Sequence, residues 1–286
     1  MNTFKLAQTA VAVLALSAGA AHAVPSPSVT QWSIVDVAVF DPASVLPAGN
    51  TFPNPVLSNG NTELRWGNTA PTSQSGLIID NTGSPFTVNT GILASTISIT
   101  HDNFPIPPGN SLTSVDINGL LTLTSVAPPP NGPTVGPVLL PFQVSFLETP
   151  NNGTGGVCAD GGTPFAAGIN VNGCSDIFVI DVESLNFPFF YDSDGLGVGD
   201  PVLYFLSIFA DGFGTLSDAA CTSVLGAGNN GCRGFQTAEL LSTTAVFKLL
   251  ITETPFETPE PGSLALMGLG MASLGWIGRR RKQKQG

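Results

Sequence analysis

Beyond His22 the sequence holds a single histidine, His101, in the run Thr100-His101-Asp102-Asn103. An imidazole beside a carboxylate could act as a general base or a metal ligand. The run follows a strongly alternating segment and leads into a Pro-rich turn. The competing reading is therefore structural, with the imidazole bonded to turn backbone and Asn103 capping the bend. A hydrolase triad has little support, because neither a further histidine nor a Gly-x-Ser-x-Gly elbow accompanies His101.

A second candidate is Asp192-Ser193-Asp194-Gly195-Leu196-Gly197-Val198-Gly199-Asp200. Hard cations need several oxygens gathered by a tight turn, and Asp192, Asp194 and Asp200 fall at positions one, three and nine of such a loop. Leu196 takes the fifth position, where an oxygen is expected, and Leu203 stands where a bidentate Glu would close the loop. Calcium is thus a candidate cofactor of weak affinity, with an Asp/Gly-rich turn as the alternative. Trp32, Trp66 and Tyr191 carry faces that could stack on sugar rings, although such residues in a β-rich body more often pack inside it.

Composition limits the partners. Only 10% of the 286 residues are charged, and 33 Gly and 24 Pro work against long helices. Lys5 and five of the last eight residues hold most of the positive charge. Arg65, Arg233 and Lys248 alone stand between these ends, against all 20 Asp and Glu, so that stretch carries −17. Phosphate would repel such a body, and nucleic acid is not expected as a partner.

The two ends read as addresses. Residues 1–23 have the parts of a secretory signal: Lys5, the apolar run Leu6 to Leu16, and Ala21-His22-Ala23 as a small-x-small cleavage site. Val24 is the expected new N-terminus, with the Sec translocon and signal peptidase as partners. A buried N-terminal helix is the alternative. Residues 253–262 form a Pro, Glu and Thr-rich stalk ending in Pro259-Glu260-Pro261-Gly262, residues 263–278 are apolar and uncharged, and 279–286 open with Arg279-Arg280-Arg281-Lys282. The apolar stretch is near the lower limit of the ~17–25 residues that a spanning helix needs. Its basic flank would stay cytoplasmic.

This order of parts resembles the PEP-CTERM sorting signal of Gram-negative bacteria. The resemblance implies an inner-membrane intermediate and recognition by an exosortase, a membrane cysteine protease, with Glu260 read as a recognition residue. A plain C-terminal anchor is the alternative. Export favours disulfides among Cys158, Cys174, Cys221 and Cys232. Three pairings are open, and Cys158–Cys174 with Cys221–Cys232 is preferred because each closes a local loop rich in Gly and Asn. Zinc is disfavoured by the wide cysteine spacing and the single histidine.

Short apolar or alternating runs recur between the ends: Trp32–Phe40, Glu63–Trp66, Leu77–Asp80, Leu93–Thr100, Leu120–Val126, Gln143–Leu147, Ile177–Val182, Leu203–Phe209 and Ala245–Thr252. They predict an all-β body over 24–252, a single β-sandwich with Greek-key or jelly-roll-like connections. Thr100-His101-x-Asn103 after a strand resembles the hallmark of the THxN family of PEP-CTERM-tailed proteins. Arg65-Trp66-Gly67 with Gln74–Leu77, Phe146–Asn151, Cys174–Phe178 and Cys232–Glu239 match the same pattern. The family carries no assigned activity, so Thr100, His101 and Asn103 transfer as marks of a shared fold. The expected function is a non-enzymatic surface or extracellular-matrix protein associated with exopolysaccharide. A calcium-dependent carbohydrate-binding or adhesive module is the alternative, and a secreted hydrolase using His101 stands behind both.

Overall fold

A computed structural model describes residues 26–47, 55–67, 73–107, 111–128, 132–180, 186–193 and 201–256. Along the chain run β1 (Gln31–Phe40), β2 (Leu46–Pro47), β3 (Val56–Ser58), β4 (Glu63–Trp66), β5 (Ser75–Asp80), β6 (Phe86–Asn89), β7 (Ala94–Asp102) and β8 (Leu112–Ala127). Then come β9 (Thr134–Leu147), β10 (Asp176–Ile180), β11 (Phe187–Tyr191), β12 (Val202–Asp211), β13 (Gly214–Thr215), α1 (Asp218–Leu225), β14 (Arg233–Thr237) and β15 (Ser242–Thr252).

The strands form two sheets. One has the order β13-β14-β10-β9-β8-β1-β6, with β2 added against β8; the other runs β11-β12-β15-β7-β5-β4-β3. Each run read as a strand from its apolar pattern falls wholly or mostly on a strand; Leu93 precedes β7, and residues 181 and 182 of the Ile177–Val182 run lie outside the described residues. The additions β2, β3, β6, β11, β13 and β14 are short, and most sit at or near sheet edges, where alternation is weakest. The chain is mostly β, as expected, with α1 the one α-helix among the described residues.

Alternation decides which face is buried. In β1, Trp32, Ile34, Ala38 and Phe40 point inward, and in β15 Ala245, Phe247, Leu249 and Ile251 do. The two sheets close over one another through these residues. At one end Phe40, Ile117, Phe146, Phe178 and Phe235 of the first sheet pack on Leu64, Trp66, Leu77, Ile99 and Phe247 of the second. Towards the other end Trp32 lies edge-on to Tyr191 and Tyr204, with ring centroids 4.8 and 5.1 Å away. Edge contacts of this kind add about 0.5–1.5 kcal/mol each beyond burial.

Helix α1 covers the outer side of the first sheet, where Ala220 meets Ile177 and Val179 of β10. Ser217 caps it by accepting the Ala220 N–H, and Asp218 complements the first turn. Both preferred disulfides form. Cys221–Cys232 ties α1 to the entry of β14, and Cys158–Cys174 pins the long β9–β10 connection.

Strand β15 is interior to its sheet, laddered to β12 on one side and β7 on the other. After it the chain stays on the body as far as Phe256, although 253–256 begin the expected stalk. Asn186 Nδ2 donates to the Phe256 carbonyl at 2.9 Å, and the Phe209 ring lies 5.0 Å from the Phe256 ring.

Candidate functional site

His101 lies near the end of β7, not in a turn, and its side chain points inward with Ile97 and Ile99. The ring is fully buried. It is parallel to Trp66 at 5.9 Å and lies 4.4 Å from Phe178 and 5.6 Å from Phe146. Neither ring nitrogen has a hydrogen-bond partner. Burial, helped by the nearby Arg65 charge, pushes its pKa down to about 3, so the ring is neutral. The expected imidazole–backbone bonds in a turn are therefore absent, because the strand continues two residues beyond Thr100 and carries His101 into the core.

Asp102 does not face the imidazole. Adjacent residues of a strand leave on opposite sides, and the Asp102 carboxylate accepts from Arg65 Nη1 at 2.8 Å and Ser242 Oγ at 2.6 Å. Arg65 Nε donates to Glu63 at 2.8 Å, and Thr100 Oγ1 bonds Thr244 Oγ1 at 2.8 Å on the same outer face. The paired histidine and carboxylate that a general base requires is not assembled here.

Asn103, also fully buried, joins the sheets. Its Nδ2 donates to the Thr237 carbonyl at 3.0 Å, and its backbone pairs with Leu241 O and Leu240 N. Its Oδ1 has no partner. Below it lies a group that no spacing in the sequence advertises: Glu148, Asp176 and Glu239, each with an oxygen within 4.8 Å of the others.

Each acid comes from a different element. Glu148 follows β9 and continues the inward face of Phe146. Asp176 begins β10, opposite Thr237 in the β14 ladder, so these side chains share a face. Glu239 sits two residues beyond Thr237. Thr149 fixes Asp176 by donating its backbone N–H to Oδ1 at 2.9 Å, while its hydroxyl donates to Ser175 O at 2.9 Å. Asp176 and Glu239 are fully buried.

Among the described residues, no ion pair reaches any of the three; Arg65 is engaged with Glu63 and Asp102, and Lys248 with Asp211. Asp176 Oδ2, Glu148 Oε2 and both Glu239 oxygens lack a well-formed hydrogen bond, as does Thr237 Oγ1. The electrostatic consequence is uniform. Burial drives Glu148 and Asp176 well above the usual carboxylate range; Asp176 and Glu239 add to the push on Glu148, and Glu239 adds to that on Asp176, where hydrogen bonds from Thr149 and Glu148 oppose it. Burial raises Glu239 to about 7, against the opposing amides of Asn103 and Asn151. Glu148 is also the way in, since it lines a cleft of about 440 Å³ with Ile106, Ser111, Thr149 and Asn151.

The other candidates separate. Asp192 accepts from Ser26 Oγ at 3.0 Å, while Asp194 and Asp200 lie outside the described residues. Trp32, Trp66 and Tyr191 are buried to 1% exposure or less, so they pack inside the body, as such residues more often do, and present no face to a sugar ring. Their apolar bodies fill the space between the sheets. Ala21, Ala23, Val24, Pro259, Glu260, Pro261, Arg279, Arg280 and Arg281 all lie outside the described residues. No helix among the described residues is long and apolar enough to cross a membrane.

Residues 257–282 match the family described as the PEP-CTERM protein-sorting motif. The chain carries a PEP-CTERM sorting signal. That signal marks an exported protein with a membrane-anchored sorting intermediate, processed by an exosortase. No curated protein matches the sequence.

Proposed function

We propose that this PEP-CTERM protein is a non-enzymatic component of the cell surface or extracellular matrix, associated with exopolysaccharide and delivered there by exosortase processing. The sorting motif at residues 257–282 carries the reading. The body is consistent with it. Two disulfides close short loops in a sandwich suited to an oxidising exterior, and His101 is sealed among aromatic rings, away from Asp102. The THxN resemblance of the body belongs to the same reading.

Deleting Pro259 to Gly286 should remove the protein from the cell surface and matrix fraction. Intact-mass analysis of the wild-type product from its host should show loss of the N-terminal signal and cleavage near Pro259-Glu260-Pro261. Unchanged surface display of the truncated chain would sink the proposal.

A further inference from the structure

Three carboxylates enclosed at one end of a sandwich, with no cation beside them among the described residues, need either protons or a metal. The neighbouring groups favour a metal. Asn103 Oδ1 is a neutral oxygen on the second sheet, fully buried and unpartnered, and its side chain lies against Glu239. Thr237 Oγ1 is likewise buried and unpartnered, directly across the ladder from Asp176. Glu148 and Asp176 touch one another, and Glu239 meets the amides of Asn103 and Asn151, yet a fold seldom leaves this many buried oxygens in one place without well-formed hydrogen bonds or a ligand.

We propose that Glu148, Asp176 and Glu239, with Asn103 Oδ1 and Thr237 Oγ1 beside them, form a calcium site that clasps the two sheets. The donor set is all hard oxygen, which suits calcium or magnesium and not zinc or copper. A calcium ion with ligands at about 2.3–2.6 Å places opposite oxygens about 5 Å apart, which accommodates a group lying within 4.8 Å. Magnesium holds several of its waters and prefers sites with fewer protein ligands. A cage of two buried acids, a third at the cleft and two neutral oxygens fits calcium better.

The cleft at Glu148 supplies the entry path, and Asn151 stands between that cleft and Glu239. Because ligands come from β10, β14 and the ends of β7 and β9, the ion would bridge the sheets where the aromatic core stops. Its role is structural, and it is distinct from the Asp192–Asp200 loop. The inference does not depend on how the tail is processed.

The test uses the exported protein with its disulfides formed, stripped with EGTA and titrated with calcium chloride. Calorimetry should give one ion bound at this site, and saturating calcium should raise Tm by roughly 5–10 °C. Terbium in place of calcium should luminesce on tryptophan excitation, because the Trp66 indole contacts Glu148. Asp176→Asn and Glu239→Gln should abolish the heat, the Tm shift and the luminescence. Both remain informative because an amide relieves buried charge and leaves the fold intact in the metal-free state. A protein that shows no calcium heat and no Tm shift overturns the proposal. So does binding that survives both substitutions but disappears in Asp192→Asn/Asp194→Asn, or an equal response to magnesium chloride.

Discussion

Arg65 and Asp102 are paired at 2.8 Å on the outer face of the second sheet, one residue along β7 from a histidine whose ring makes no hydrogen bond. The pleat of the strand keeps the two environments apart. Outside, charges are matched and half-wetted; inside, His101 is an aromatic disc held between Trp66 and Phe178.

Acid should therefore attack this protein through His101. The folded pKa of about 3 lies below the unfolded value near 6.5, so the neutral ring stabilises the fold above 6.5. That contribution is lost as pH falls towards 3, amounting to about 2–3 kcal/mol by pH 4.5. His101→Phe keeps a ring in the slot and has nothing to protonate. Urea denaturation at pH 7 and pH 4.5 should show the variant gaining that amount on the wild type. An equal acid loss in both proteins contradicts the assignment.

Tyr191→Phe should weaken the opposite end of the sandwich. The hydroxyl donates to Pro133 O at 2.6 Å and accepts from Ser125 N–H at 3.1 Å, holding the β8–β9 hairpin on β11. Removing it strands the buried Ser125 N–H and leaves the part-buried Pro133 carbonyl to water, at about 1–3 kcal/mol by chemical denaturation. If Tyr191 instead met sugars, stability would be unchanged and glycan retention would fall.

Gly234→Ala should be among the most damaging single changes. A Cβ there would stand 1.8 Å from the Phe178 carbonyl oxygen, so β14 must separate from β10. The expected loss is about 3 kcal/mol or more, read as a lower urea midpoint. Thr237 would be displaced from Asp176 in the same movement, and the calcium response should shrink with it.

Removing either disulfide should lower stability by ~2–3 kcal/mol, since loops of 16 and 11 residues restrict the unfolded chain to similar extents. The two losses should differ in one respect. Thr149 Oγ1 donates to Cys174 O at 3.1 Å and to Ser175 O beside Asp176. Replacing Cys158 and Cys174 by alanine should therefore blunt calcium binding, whereas replacing Cys221 and Cys232 should leave it intact. Paired denaturation and calorimetry distinguish the two.

The sandwich was readable because its central strands alternate cleanly, as in Thr96-Ile97-Ser98-Ile99-Thr100, and because a buried face imposes that period on the sequence. Strand β14 was not readable: Arg233-Gly234-Phe235-Gln236-Thr237 has the composition of a loop and becomes a strand only through its ladders to β10 and β13. The same divide separates the two acidic candidates. The Asp192–Asp200 loop is conspicuous because its oxygens are contiguous. Glu148, Asp176 and Glu239 are scattered over more than ninety residues and meet only when the sheets close. A faint signal existed, since Phe146–Asn151, Cys174–Phe178, Cys232–Glu239, Thr100–Asn103 and Arg65–Gly67 were already grouped by the THxN resemblance. Each contributes a side chain at or against the cluster.

The position of β15 has a mechanical consequence. The sorting motif begins one residue after Phe256, so any pull transmitted through a membrane-held tail enters the body along an interior strand. Such a load acts in shear on the β12 and β15 ladder and on the β15 and β7 ladder together. An edge strand would instead unzip one bond at a time. The Asn186 and Phe209 contacts to Phe256 take the first strain before either ladder does. A membrane-held sorting intermediate would thus be held through two ladders loaded together.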